Sequence, residues 1–140
     1  MKENLKEEKI LLVEDDPDHA ELIMEVLETE NVQKEIILLN DGLEALNYFQ
    51  EYGENGAQIR INLVILDLNL PKVHGMEVLK FLKQNSKYNS IPVVILSTSS
   101  DDKTIEEAYK NGADNYIIKP ILYEAFVERV STLKNYCTKE

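Results

Sequence analysis

The chain has 140 residues, 44% of them hydrophobic, and a formal net charge of −11. That length fits one domain, and that composition builds a core without a disulfide or structural metal; the single cysteine, Cys137, has no internal partner. The acidic balance argues against nucleic-acid binding, which needs a basic surface, and no apolar run approaches the ~20 residues that span a bilayer.

The opening stretch, Met1-Lys2-Glu3-Asn4-Leu5-Lys6-Glu7-Glu8, is charged and unlike a signal peptide, so a cytoplasmic location is expected. Lys9-Ile10-Leu11-Leu12-Val13 is a short aliphatic run, the pattern of a parallel strand buried on both faces. In Glu14-Asp15-Asp16-Pro17, Asp16 reads as an N-cap and Pro17 as the first helical residue. Ala20, Ile23, Met24 and Leu27 then mark one apolar face. A second run, Ile36-Ile37-Leu38-Leu39, leads through Asp41-Gly42 into a helix with Leu43, Leu46 and Phe49 at near-helical spacing.

The stretch from Tyr52 to Asn62, with Gly53 and Gly56, reads as the longest connector, an exposed loop. Leu63-Val64-Ile65-Leu66 is the third strand, ending in Asp67. Met76, Leu79 and Leu82 line the third helix, which stops at the polar Gln84-Asn85-Ser86-Lys87. Val93-Val94-Ile95-Leu96 ends in Ser97. Ile105, Ala108 and Tyr109 line the fourth helix, and Asn111-Gly112 is its left-handed C-terminal cap. Tyr116-Ile117-Ile118 ends in Lys119-Pro120, and Leu122, Phe126, Val130 and Leu133 line the last helix.

Five strand–helix alternations predict an α/β fold. Right-handed crossovers leave few topologies, and the expected one is a flavodoxin-like, doubly wound, five-stranded parallel sheet of order 2-1-3-4-5 with five helices. It forms a single domain over residues 1–140, with its core over about 8–136.

In such sheets ligands bind beyond the carboxyl ends of the strands, where strand order reverses. That edge collects Glu14, Asp15 and Asp16 from the first strand, Asp67 from the third, Ser97 from the fourth and Lys119 from the fifth. Packed carboxylates repel, by about 4 kcal/mol for two charges 4 Å apart at an effective dielectric of 20. A hard divalent cation relieves that repulsion, and oxygen-only ligands favour Mg²⁺. Bound Mg²⁺ attracts a phosphoryl group and leaves one carboxylate placed for attack, giving an acyl phosphate. A lysine and a small hydroxyl suit the remaining phosphoryl oxygens. Asp67 has the strongest claim as acceptor, because it follows four aliphatics where an unpaired acid costs several kcal/mol. Plainer readings exist for the others: a helix cap for Asp16, solvated loop acids for Glu14 and Asp15, and solvent exposure for His74.

These residues resemble the receiver domain of two-component response regulators, over about Glu8 to Tyr136. The resemblance rests on Leu12-Val13-Glu14-Asp15-Asp16, on Asp67-Leu68-Asn69-Leu70-Pro71 followed by Gly75, on Ser97 after an aliphatic strand, and on Lys119-Pro120. Asp67 stands equally far along the chain from Asp15 and from Lys119. Val13-Glu14-Asp15-Asp16-Pro17, Asn40-Asp41-Gly42-Leu43-Glu44-Ala45-Leu46 and Asp67-Leu68-Asn69-Leu70-Pro71-Lys72 further resemble the phytochrome-associated regulators, often single receivers working with sensor histidine kinases. The resemblance implies Asp67 as phosphoacceptor, Glu14 and Asp15 as the acidic pair, and the Asn69 carbonyl as a further metal ligand. It implies Ser97 and Lys119 as phosphoryl contacts and Tyr116 as an aromatic switch. The chain departs from the family in Thr98, where Ala or Gly is usual, in Ser97 for the commoner Thr, and in Asp16 and His74 where the subfamily favours Asn and Asp.

The expected function is a signalling phosphoacceptor served by a sensor histidine kinase, phytochrome-like on this resemblance, or by a phosphotransfer protein. With no effector domain expected after the last helix, output passes through protein contacts. Tyr109, Tyr116, Ile121 and Tyr123 offer a surface for a partner or a homodimer on the face of the fourth helix, fifth strand and last helix. A phosphate-independent adaptor would be expected to lose the acceptor or the acids, which are all present. A Mg²⁺-dependent aspartyl phosphatase would want a second acid two residues after Asp67, where Asn69 stands. A dinucleotide site would want a glycine-rich turn where Glu14-Asp15-Asp16-Pro17 stands.

Overall fold

The computed structural model describes residues 7–32, 34–55, 59–119 and 122–136. Strands and helices alternate as β1 (Glu7–Val13), α1 (Pro17–Thr29), β2 (Glu35–Leu39), α2 (Gly42–Asn55), β3 (Ile59–Leu66), α3 (Gly75–Lys83), β4 (Val93–Ser97), α4 (Asp102–Lys110), β5 (Asn115–Ile118) and α5 (Tyr123–Ser131). The last helix tightens into a 3₁₀ turn over Thr132–Tyr136. All strand pairings are parallel and the order is β2-β1-β3-β4-β5, as the alternation predicts.

The continuous aliphatic runs have a direct structural cause. Side chains of a strand alternate between faces, and here both faces are covered by helices. Leu11, Val13, Val64, Leu66, Val93 and Ile95 share one core layer with Phe49 of α2, with Met76, Leu79 and Leu82 of α3, and with Ala108 of α4. Ile10, Leu12, Leu63, Ile65, Val94, Leu96 and Ile117 form the other, against Ala20, Ile23 and Leu27 of α1 and Phe126 and Val130 of α5. Burying a side chain of this size stabilises by about 1.5–3 kcal/mol, so each layer of the sheet is firmly specified.

Local signals set the helix ends. Asp16 caps α1, its carboxylate accepting from the N–H of Asp18 at 2.9 Å and of His19 at 3.3 Å, with Pro17 next. Those bonds, that of His19 foremost, hold the Asp16 carboxyl below its ordinary pKa. Asp101 caps α4 in the same manner, accepting from Thr104 N–H at 3.1 Å. Gly112 follows α4 at φ +101°, a left-handed conformation that a side chain disfavours.

Four expectations need correction. The stretch from Tyr52 to Asn62 is not one exposed loop: α2 runs to Asn55 and β3 starts at Ile59, leaving only residues 56–58 outside the described structure. Leu43, Tyr109 and Leu122 do not line the core. They are 43%, 45% and 69% exposed. Leu43 sits in the first turn of α2, Tyr109 reaches outward to Asn115 Oδ1 at 3.2 Å, and Leu122 is the residue before α5 rather than part of its apolar stripe. Pro120, Ile121 and Cys137 lie outside the described residues.

Candidate phosphoacceptor and metal site

Sheet register brings the predicted residues level. Val13 pairs with Leu66, so Glu14 and Asp67 emerge side by side, and Ser97 pairs with Ile118, so Lys119 emerges beside them. The pairing persists just past the strand ends: Asp67 N–H donates to the Val13 carbonyl at 3.1 Å and Lys119 N–H to the Ser97 carbonyl at 2.7 Å. The backbone is thus clamped where the side chains must be accurate.

Lys119 is the hub. Its Nζ donates to Glu14 Oε1 at 2.7 Å and to Asp67 Oδ2 at 3.0 Å. All three side chains are buried, with exposures of 3%, 2% and 8%. Each carboxylate's second oxygen is also engaged: Asp67 Oδ1 accepts from Asn69 N–H at 3.1 Å, and Glu14 Oε2 from Asp16 N–H at 3.2 Å. Removing one member of a buried ionic set typically costs 3–5 kcal/mol, because the others keep uncompensated charge. One ammonium between two carboxylates still leaves an excess of negative charge. Burial, assisted by the neighbouring Asp67 charge and opposed by Lys119, pushes the Glu14 carboxyl up to about 7.

Asp15 is exposed, yet one of its carboxylate oxygens lies within 4.8 Å of oxygens of both Glu14 and Asp67. Three hard oxygen donors converge there, and with Lys119 the formal charge of the cluster is −2. A divalent cation therefore fits the site both in donor chemistry and in charge.

The surrounding residues shape its mouth. Ser97 is fully buried and its Oγ accepts from Ser99 N–H at 3.3 Å, whereas Thr98 is exposed. Tyr116, half-buried, donates its hydroxyl to the Ser99 carbonyl at 2.8 Å and ties β5 to the β4–α4 loop. Gly75 packs so tightly that a Cβ there would stand 2.2 Å from the Asp67 carbonyl oxygen. Beside these loops lies a cavity of about 300 Å³ lined by Asn69, His74, Glu77, Ser99, Thr104 and Glu107 among others; the acidic cluster does not line it.

Every site residue singled out in the sequence therefore lies at one edge of the sheet. Glu14, Asp67 and Lys119 are in direct contact, Asp15 and Asn69 adjoin them, and Ser97 and Tyr116 are joined through Ser99. His74 is exposed, as expected, and its Nδ1 accepts from Met76 N–H at 3.1 Å and so caps α3. His19, not singled out by the sequence, brings Nδ1 to 3.0 Å from Lys119 Nζ. The one signal that could have found it is its place in the first turn of α1, at the rim where the acids collect.

Comparison with known proteins agrees with this architecture. Residues 10–131 match the family described as the response regulator receiver domain. The chain is 42% identical over 127 residues to the "Probable methanogenesis regulatory protein FilR2" of Methanothrix harundinacea, covering 91% of this chain and 81% of that protein. It is 44% identical over 110 residues to the response regulator Rcp1 of Synechocystis, covering 79% and 75%. The crystal structure of Rcp1 in its Mn²⁺-bound form superposes with a TM-score of 0.86 at 37% identity, covering 94% of this chain and 96% of that one. That of the phosphorylated cyanobacterial phytochrome response regulator RcpA does so with 0.85 at 36% identity, covering 94% of each. With its five-stranded order, its acidic strand ends and a family match across nearly the whole described core, the chain belongs to the response regulator receiver domains of two-component signal transduction.

Proposed function

We propose that the chain takes a phosphoryl group from a histidine kinase or phosphotransfer partner onto Asp67 and passes the signal on by protein contacts. The observation that carries the reading is the buried contact of Asp67 with Lys119, 3.0 Å apart, beside the converging oxygens of Glu14 and Asp15. Glu14, Asp15 and Asp67, with the Asn69 carbonyl, would hold Mg²⁺. When bound, the ion supplies positive charge to the phosphoryl oxygens.

The chain's own residues do the rest. Asp67 is positioned by backbone on both sides, through its N–H to Val13 and its Oδ1 to Asn69. An Asp67 oxygen attacks phosphorus as the bond to the donor's leaving group breaks, and the leaving group departs with that electron pair. Lys119 surrenders a carboxylate contact and takes a phosphoryl oxygen, while Ser97 turns its hydroxyl to another. Tyr116, released from Ser99, carries the change to the face built by α4, β5 and α5. Tyr109 and Tyr123 are exposed on that face, which suits a partner or a homodimer. The resemblance to Rcp1 and RcpA favours a phytochrome-like kinase. Among the described residues no helix is long and apolar enough to cross a membrane. A cytoplasmic single receiver domain over residues 1–140 completes the reading, supported by the family match over residues 10–131. The net charge of −11 argues against nucleic acid as a partner.

The test is phosphorylation by acetyl phosphate, with and without Mg²⁺, followed by hydroxylamine. A Mg²⁺-dependent label that hydroxylamine removes is the result expected of an acyl phosphate. A label independent of Mg²⁺, or resistant to hydroxylamine, would contradict it.

A further inference from the structure

Lys119 joins the two buried carboxylates, and a third residue completes its coordination. An ammonium has three N–H donors and no acceptor. Two are used by Glu14 Oε1 and Asp67 Oδ2, and Nδ1 of His19 stands 3.0 Å from Nζ on the α1 side. We infer that His19, through an unprotonated Nδ1, is a positioning residue that tethers Lys119 beside Asp67 while the ammonium exchanges a carboxylate oxygen for a phosphoryl oxygen. The inference rests on Asp67 being the acceptor.

The geometry specifies the protonation of the ring. Asp16 Oδ2 lies 3.6 Å from the same Nδ1, and Lys119 Nζ lies closer, at 3.0 Å. A proton on Nδ1 would point a donor at an ammonium that has only donors. The short contact therefore requires the lone pair on Nδ1, with the ring proton on Nε2. The ring is also held in place: it packs against Phe126 of α5 with centroids 5.9 Å apart, and the His19 N–H is bound to Asp16 Oδ1. Lys119 is pinned between β5 and this ring across a separation of 100 residues in sequence.

A neutral tether differs in kind from the other two partners. Glu14 and Asp67 are both needed elsewhere once a cation and a phosphoryl group arrive. His19 lies outside the group of mutually close acids and does not compete for the cation. It is the partner that Lys119 keeps throughout, confining the ammonium to a short swing. Without it, Nζ settles more tightly between the two carboxylates and must be displaced from both. Neutral hydrogen bonding of this kind adds positional accuracy without adding charge, which is what a group serving two successive acceptors requires.

The test compares wild type, His19→Leu, His19→Asn and Asp67→Asn. Each is incubated with acetyl phosphate and Mg²⁺ and followed by intact mass over time. Loss of one hydrogen bond to a charged group predicts an initial rate about tenfold lower in His19→Leu. Asn carries an acceptor oxygen close to the place of Nδ1, so His19→Asn should stay near the wild-type rate. Nitrogen NMR of the metal-free wild type should find the His19 proton on Nε2, independently of any phosphorylation. A wild-type rate in His19→Leu, equal slowing in both His19 variants, or a proton on Nδ1 would each overturn the tether. A phosphoryl gain by Asp67→Asn would instead remove the acceptor reading beneath it, while the NMR result would still judge the contact itself.

Discussion

Replacing Glu14 by Gln should abolish a pH dependence of stability that the metal-free protein carries between mild acid and mild alkali. Burial raises the Glu14 carboxyl from 4.5 to about 7, so in that interval the native state holds a proton that the unfolded chain releases. A native state that binds more protons loses stability as pH rises. The contribution is fully present below about 4.5 and is lost as pH passes through about 7. The difference is worth about 3 kcal/mol at most, or roughly 10 °C in melting temperature for a domain of this size. Urea unfolding in EDTA near pH 5 and near pH 8 measures it. Wild type should lose about 2–3 kcal/mol more than Glu14→Gln between those conditions. Saturating Mg²⁺ should oppose the trend, because a metal site needs the carboxylate ionised. Equal pH slopes in the two metal-free proteins would refute the reasoning.

Asp15→Ala should stabilise the metal-free protein and abolish most of the thermal shift that Mg²⁺ gives wild type, a gain of about 2.7 kcal/mol at a hundredfold excess over Kd; calorimetry with and without Mg²⁺ decides. Gly75→Ala places a Cβ 2.2 Å from the Asp67 carbonyl oxygen, so it should destabilise by about 1–3 kcal/mol in urea and slow phosphorylation by shifting the acceptor backbone. Thr98→Ala should accelerate both loading from acetyl phosphate and decay of the phosphorylated mass. Thr98 is exposed next to buried Ser97, where a branched side chain narrows the approach of donor and water. Equal rates would discard that gate.

The strand order and site edge were legible because their physics is local and repetitive. Aliphatic runs such as Val93–Leu96 announce strands covered on both faces, and the acids and lysine at their ends are unusual enough to stand out. Length was less legible. β3 reaches back to Ile59 through exposed Arg60, and α2 continues past Gly53, although glycine is unfavourable within a helix by about 1 kcal/mol. Helical spacing also overstates burial at helix ends: Leu43 and Leu122 have the right residue type, but no core layer reaches them. His19 was hidden for another reason. Its partner is brought to it where the first turn of α1 meets the end of β5, and no neighbouring residue in the chain records that contact.

The central claim is that Asp67 alone accepts the phosphoryl group, and intact mass of wild type and Asp67→Asn after acetyl phosphate and Mg²⁺ tests it most directly. Wild type should gain one phosphoryl mass and Asp67→Asn none, since Asp67 stands at a buried strand end against Lys119 and within the acidic cluster. A full gain in Asp67→Asn would contradict the account.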